Sequence, residues 1–342
     1  MTSTRGSHET VVAVVTTIQA PTPALVRLAS RFDGRLVVVG DRKTPSNWHH
    51  PGVEYLPPQL EGPGPLATLL PWDHYGRKML GYIRAVARGA QAIYDTDDDN
   101  EPTLAWDVVP FDGVFTRTPP NAGFVNIYRS FTDRRIWPRG LPLDAIANPG
   151  AVVPEASLVE TACRVGVWQL LVDGEPDVDA IYRLVDGEPC EFRKRNPIVL
   201  DYGTVCPFNS QATLVRAEIF ALLYLPTTVT FRFTDILRGL VAQPIMWAAG
   251  YHLGFAPPTV VQVRNPHELM RDFADEVPMY LHASEVPDIV AHAIRGSGAS
   301  CEENLLLAYR GLAAEGIVSD DEFPRLDRWL DELAMARSVA SR

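Results

Sequence analysis

Lysine is nearly absent from this chain: Lys43, Lys78 and Lys194 are the only three, and arginine supplies the rest of the positive charge. That preference carries no functional message, but the overall balance of charge does. With 42 acidic and 31 basic residues the formal net charge is -11. This argues against a nucleic-acid partner, because a phosphate backbone is bound mainly through basic surface. A nucleotide held through a metal ion remains compatible with it. Cysteine is scarce as well. Cys163, Cys190, Cys206 and Cys301 lie far apart with no Cys-x-x-Cys pair, which removes the usual zinc and dithiol motifs and leaves reduced core thiols. No apolar run approaches the roughly 18 residues of a membrane span, and no basic-plus-apolar leader precedes the first strand. The expectation is a cytoplasmic chain with no transmembrane segment. A Gly-rich, basic loop after the first strand is also missing, with Gln19-Ala20-Pro21 in its place, which speaks against a nucleotidyltransferase.

What is present is ordinary globular composition, 46% hydrophobic and 21% charged, in a chain long enough for one large core or two modest ones. After a polar lead-in, Met1 to Glu9, expected to be disordered, strands alternate with amphipathic helices. Val11 to Thr17 is a β-branched run, Ala24 to Arg31 has helical spacing, and Leu36 to Gly40 is a second apolar strand. Such a β-α-β unit predicts a parallel sheet covered on both faces, with ligands beyond the carboxyl ends of the strands. Thr16, Thr17, Asp41, Arg42 and Lys43 stand at those ends. Residues 51–71, rich in Pro and Gly, read as irregular surface chain. A helix is predicted from Gly76 to Arg88, exposing Arg77 and Lys78 in its first turn. Basic residues there oppose the helix dipole unless an anion offsets them, so the pattern fits either a diphosphate cradle or two solvated cations on a surface helix.

The most informative stretch is Ile93-Tyr94-Asp95-Thr96-Asp97-Asp98-Asp99-Asn100, four carboxylates at the end of a short buried strand. Carboxylates this close repel, so one should hold its proton unless a cation arrives. Mg²⁺ or Mn²⁺ suits such hard oxygen ligands and shares a substrate's phosphates instead of sitting in a full protein cage. A solvated acidic turn or a helix cap explains most acidic loops, but here a buried strand delivers the acids to a sheet edge. A calcium loop fits Asp95, Asp97 and Asp99 yet fails where Gly and Glu are needed, at Asn100 and Trp106.

Further along, residues 111–143 mix short strands with turns, Val165 to Val172 reads as a strand or short helix, and Asp177, Asp179 and Arg183 share a face if Val178 to Leu184 is helical. Thr234 to Ala249 is a strong helical pattern, with Thr234 as a candidate N-cap and Asp235 in its first turn. From Val286 the chain turns Ala- and Leu-rich. Two helices are predicted, Glu302 to Leu312 and Asp320 to Ala336, the second with Ser319 and Glu322 as a capping box. This C-terminal helical appendage, 286–342, is expected to serve packing or self-association into a homo-oligomer. The main domain spans 10–285, with a nucleotide half to about 110 and an acceptor half beyond it.

Several stretches together resemble the STELLO-type glycosyltransferase-like family and, more distantly, the reversibly glycosylated polypeptides. They include Val15 to Gln19, Val39 to Pro45, the Arg77 to Ala90 helix, Asp95 to Asn100, Ile136-Trp137-Pro138-Arg139-Gly140-Leu141-Pro142, Asp177 to Ile181, Pro207-Phe208-Asn209-Ser210-Gln211 and Thr234 to Gln243, with Pro257 to Val260 and Arg264 to His267 further on. The resemblance implies a GT-A-type α/β fold, a Rossmann-like mixed sheet flanked by helices, and a metal-dependent transfer from a nucleotide-diphosphate sugar. UDP is the preferred nucleotide and GDP the alternative, and the acceptor is an unidentified small molecule or glycan. The family's membrane anchor has no counterpart here, so no Golgi placement is implied.

On that reading Asp97 and Asp99 hold Mn²⁺ or Mg²⁺, and a late His, His267, is the third metal ligand. The family pattern differs at Asp97-Asp98-Asp99-Asn100, which leaves open whether Asp95 pairs with Asp97 instead. Asp95 otherwise meets the ribose or sugar, Thr16, Thr17, Asp41 and Arg42 line the nucleoside pocket, and Arg77 and Lys78 neutralise the phosphates. Asp235 is the expected base, as a carboxylate at a helix start. Two alternatives stand beside it. One is a mutase or self-glycosylating protein in which Arg117, Arg129 or Arg139 carries or holds the glycosyl group. The other is a scaffold that keeps the fold without catalysis.

Overall fold

The computed structural model describes residues 10–58, 66–262 and 268–341, and in it the apolar runs of the N-terminal half form the parallel side of a ten-stranded sheet. From one edge the strand order is Val53–Leu56, Leu36–Gly40, Val11–Thr17, Ala92–Thr96, Ala212–Arg216, Val159–Gly174, Asp112–Arg117, Ile198–Val199, His252–Gln262 and Asn100–Pro102. The first four run parallel, and Ala212–Arg216 joins them antiparallel to Ala92–Thr96. This is the mixed, Rossmann-like α/β sheet that the resemblance implies.

The pleat explains why the N-terminal strands are apolar at every position. Val11, Ala13, Val15, Leu36, Val38 and Tyr94 face one core with Leu25, Leu28 and Phe32 of the Pro23–Phe32 helix. Val12, Val14, Val37, Val39 and Ile93 face the other with Met79 and Val86 of the Lys78–Ala87 helix. Successive side chains point to opposite faces and both faces are covered, so no position is left to a polar residue until the strand ends. Gly81 lets the second helix approach closely, since a Cβ there would meet Val14 and Val39.

Several local expectations are corrected. Residues 51–71 contain a paired strand, Val53–Leu56, and a helical turn, Leu66–Leu69, which the density of Pro and Gly concealed. Val159–Gly174 is one 16-residue strand. It is long because it pairs with Ala212–Arg216 and Asp112–Arg117 on its flanks and with His252–Gln262 further along. Thr234 does not cap its helix, and its hydroxyl instead donates to the Thr230 carbonyl. The lead-in, residues 1–9, and His267 lie outside the described residues. No helix among those described is long and apolar enough to cross a membrane.

The C-terminal helices are present, and they are fastened to the main body by buried polar groups. Leu305, Leu312, Leu326, Trp329 and Leu333 share a core with the Lys78–Ala87 and Thr234–Ala248 helices. The Trp329 indole N–H donates to the Ala221 carbonyl at 3.0 Å, and Glu332 accepts the Leu66 N–H at 2.7 Å. The capping box expected at Ser319 and Glu322 is not formed. One forms at Ser300 and Glu303 instead. Glu322 is fully buried because its carboxylate accepts the backbone N–H groups of Thr227 and Thr228 and the Tyr224 hydroxyl, at 2.5–3.0 Å. It therefore holds the segment leading into residues 229–235.

Glu322→Ala would leave those N–H groups buried without an acceptor. The expected loss is about 3 kcal/mol of unfolding free energy in urea, at roughly 1–3 kcal/mol per orphaned group. A loss below about 0.5 kcal/mol would show that this segment is held by something else.

Candidate active site

The carboxyl ends of the parallel strands open into a cavity of about 340 Å³. Thr16 and Thr17 end the first strand there, Asp41 follows the second, and Asp97, Asp98 and Asp99 follow the fourth. Arg77 enters from the turn before the Lys78–Ala87 helix and Asp235 from the first turn of the Thr234–Ala248 helix. Of the expected site residues, Thr16, Thr17, Asp41, Arg77, Asp97, Asp99 and Asp235 line this one cavity. Arg42, Lys78 and Asp95 do not, and His267 lies outside the described residues.

Asp95 and Lys78 are corrections with one cause. Asp95 is fully buried beneath the cavity floor, with one carboxylate oxygen 2.7 Å from the Lys78 ammonium and the other accepting from Arg238 at 2.9 Å. Both of its oxygens are engaged by cations and it does not line the cavity, so this geometry does not present it to a ribose or beside Asp97 to a metal. Lys78 is equally buried, and its ammonium also reaches Asp97 and the Tyr75 hydroxyl, each at 3.1 Å. Burial by itself would lower its proton affinity, yet Asp95 and Asp97 hold it above the ordinary lysine range. Its charge serves the acid cluster and not a phosphate.

The three remaining acids are differently placed. Asp97 receives Lys78 and the Tyr75 hydroxyl on one oxygen, and its side chain is 31% exposed to the cavity. Burial, opposed by Lys78 but reinforced by Asp99 and Asp95, pushes its carboxyl up to about 7. Burial also raises Asp98, which accepts the Thr17 hydroxyl, while Asp99 accepts from Gln262 at 2.9 Å. Among the described residues no three His, Cys, Asp or Glu side chains form a group that would hold a metal by themselves. The donor set fits a partial shell instead: neighbouring carboxylates, one with a raised proton affinity, facing a cavity from which a ligand's phosphates could complete the coordination.

Arg77 is 3% exposed and lies over the Trp72 ring, 3.8 Å from its centroid. Its Nε and one terminal nitrogen have no hydrogen-bond partner, and Asp41 is 3.8 Å away. Burial lowers its proton affinity, with Asp41 opposing the effect. A buried guanidinium with unused donors is costly unless an anion or carbonyl completes it. The Thr44 hydroxyl fixes the strand ends around it, donating to the Thr17 carbonyl at 2.6 Å and accepting the Asp41 N–H at 2.8 Å. Arg42 is exposed and packs over the outside of Trp72.

Asp235 lines the same cavity, in the grip of Arg139. The two are joined by paired hydrogen bonds of 2.9 and 3.0 Å, and Asp235 also accepts the Ser210 N–H. Arg139 spends its other donors on Asp177 and the Arg232 carbonyl, so no N–H of its guanidinium is spare. Burial would raise the Asp235 carboxyl, but the Arg139 charge and its hydrogen bonds hold it below the usual carboxylate range. The Arg139 clamp thus favours the ionised carboxylate and makes Asp235 a weaker base than a free one. Arg139 is unavailable as a glycosyl carrier, and neither Arg117 nor Arg129 lines the cavity.

Sequence reasoning missed Arg238, Tyr75 and the Arg139 clamp. Arg238 did carry a signal, as the one charge inside the apolar run Ile236 to Met246, which needs a buried anion. Tyr75 carried none. Asp177, Asp179 and Arg183 do not act as one helix face: Asp177 binds Arg139, Asp179 caps the Ala180–Val185 helix, and Arg183 pairs with Glu175.

Comparison with known proteins agrees with the motif reading. Over 94% of its length the chain is 28% identical to a probable glycosyltransferase of Arabidopsis thaliana, STELLO2, and likewise to its companion STELLO1. The chain spans 44% of each of these curated relatives, so less than half their length is represented. No protein-family model matches it.

The raised Asp97 carboxyl makes a prediction for metal-free protein. A folded acid with a proton affinity above its unfolded value favours folding below about pH 4 to 7 and costs stability as pH rises through that window. Asp97→Asn removes this dependence. In urea unfolding with chelator, the variant should gain on the wild type progressively from pH 5 to pH 8, and a gap that does not widen with pH would contradict the raised affinity.

Proposed function

We propose that this STELLO-like chain is a metal-dependent glycosyltransferase that takes a sugar from a nucleotide-diphosphate donor, UDP in preference to GDP, and passes it to an acceptor hydroxyl. The carrying observation is one cavity that joins a buried guanidinium with unused donors, Arg77, to a floor of three carboxylates, Asp97 to Asp99. A diphosphate coordinated through a divalent ion answers both, being an anion for the first and a cation carrier for the second.

Each residue then has a task. Thr16, Thr17 and Asp41 surround the nucleoside, and Arg77 meets the diphosphate. Asp97 and Asp99 would hold Mn²⁺ or Mg²⁺, and the bound ion would supply Lewis-acid stabilisation of the charge that develops on the departing diphosphate. Lys78 keeps Asp97 oriented from below. Arg139 holds Asp235 rigidly toward the cavity, ionised and ready to accept a hydrogen bond from the acceptor hydroxyl. Its low proton affinity makes it better suited to orienting that hydroxyl than to removing its proton early.

Thermal unfolding with UDP, GDP, ADP or dTDP, each with Mn²⁺ or with chelator, tests the reading. A ligand bound only to the folded state adds RT ln(1 + [L]/Kd), about 2.7 kcal/mol at a hundredfold excess over Kd. UDP with Mn²⁺ should raise the midpoint and chelator should abolish the rise. Arg77→Ala should weaken UDP about tenfold or more through the lost charge-assisted bonds, and Asp97→Asn should remove the metal dependence. Asp235→Asn should keep UDP binding and lose transfer by about a hundredfold. No response to any nucleotide would overturn the proposal.

A further inference from the structure

Phe231 is a phenyl ring left 49% exposed on the wall of an otherwise polar cavity. Its outward position is enforced by its neighbours. Thr230 donates to the Asp275 carbonyl at 2.5 Å, the Arg232 guanidinium binds the buried Glu276 at 2.7 and 3.0 Å, and Phe233 is fully buried. With the residues before and after it tied down, Phe231 has no inward site to turn to. Glu322 holds Thr227 and Thr228 just upstream, so the segment is anchored at both ends.

The ring does not stand alone. It meets Tyr75 and His74 edge-on, with centroids 5.7 and 6.1 Å away. The Tyr75 hydroxyl is bound to Asp97, which places this aromatic corner beside the acid cluster. The chain then runs through Arg232, whose carbonyl accepts from Arg139, to Asp235. Phe231 therefore lines the same cavity as Asp235, beside the Tyr75–Asp97 contact and next to the Arg232 carbonyl that Arg139 binds. Bidentate-capable carboxylates beside an apolar ring form the combination that suits a pyranose, whose hydroxyls take polar partners while its C–H face covers an aromatic ring.

Resting on the glycosyltransferase reading, we infer that Phe231 is the stacking face of the acceptor subsite and that the acceptor is itself a carbohydrate, a pyranose laid on this ring with a hydroxyl directed at Asp235. His74 and Tyr75 complete the corner. The His74 Nδ1 accepts the Gly76 N–H at 3.0 Å, and burial lowers the proton affinity of its imidazole against the nearby Glu322 and Asp41.

Saturation-transfer NMR and titration with the methyl pyranosides of glucose, galactose, mannose and xylose, each with and without UDP and Mn²⁺, test this. At least one pyranoside should bind, with saturation concentrated on the C–H groups of one ring face. Phe231→Ala should weaken it about 5- to 10-fold, the range of an aromatic stacking contact, and Phe231→Trp should retain it. UDP affinity should change less than twofold in both. The inference is overturned if no pyranoside binds the wild type, if Phe231→Ala leaves pyranoside binding intact, or if it weakens UDP as much as sugar, which would assign the ring to the nucleoside. Failure of UDP itself to bind would count against the donor site and leaves the nucleotide-free pyranoside titrations to judge Phe231 separately.

Discussion

Asp95, fully buried between Lys78 and Arg238, is the contact on which the arrangement of the site depends. It joins the end of the central strand to the start of one helix and to the second turn of another. Taking three charges out of water is costly, and their mutual attraction repays this only with close geometry and satisfied donors. The ion-pair distances of 2.7 and 2.9 Å meet the first condition, and Arg238 spends a further donor on the Asn209 carbonyl at 3.1 Å, leaving only its Nε without a partner. Such a cluster is worth less for stability than for uniqueness. Removing one member leaves an uncompensated buried charge, at about 3–5 kcal/mol, so the three elements have one relative placement. The cavity floor inherits it, because Lys78 also holds Asp97.

The Asp235 side of the cavity is built by a second clamp of the same kind. Arg139 binds Asp177 and Asp235 together, and Gly140 follows it at a φ of 87° where a Cβ would strike Ile236. Only glycine permits that backbone and that approach, which explains the Arg-Gly pair after Trp137-Pro138. The cavity thus has rigid sides of opposite character. One carries an incompletely bonded guanidinium, and the other a carboxylate whose needs are already met. In the proposed reaction the first would meet a departing diphosphate and the second would orient a hydroxyl, with little further movement of either.

The C-terminal helices belong to the same construction. Glu322 and Glu276 are buried carboxylates from late in the chain, and each accepts hydrogen bonds from a segment bordering the cavity. The 224–233 segment lacks regular structure over much of its length and would otherwise have only its own side chains to hold it. Carboxylates suit this task because each offers several lone pairs to backbone N–H groups that no helix or strand can satisfy.

The sequence by itself determined the layering and the location of the site. Apolar residues at every position of Val11 to Val15 and Leu36 to Val39 require a sheet covered on both faces, and polar residues can then appear only where the strands end. Thr17, Asp41 and the Asp97 to Asp99 run were legible for that reason. What only the tertiary structure decided was which charged residues face the cavity and which neutralise one another beneath it. Asp95 and Asp97 differ by two positions on one strand end, and Arg77 and Lys78 are adjacent, yet in each pair one lines the cavity and the other is buried in the ion cluster. A sequence records a charge but not its partner. Arg238 lies 143 residues from Asp95, and Glu322 lies 94 from the Thr228 N–H it accepts. Which acids remain free to meet a ligand follows only from which cations the fold has brought beside them.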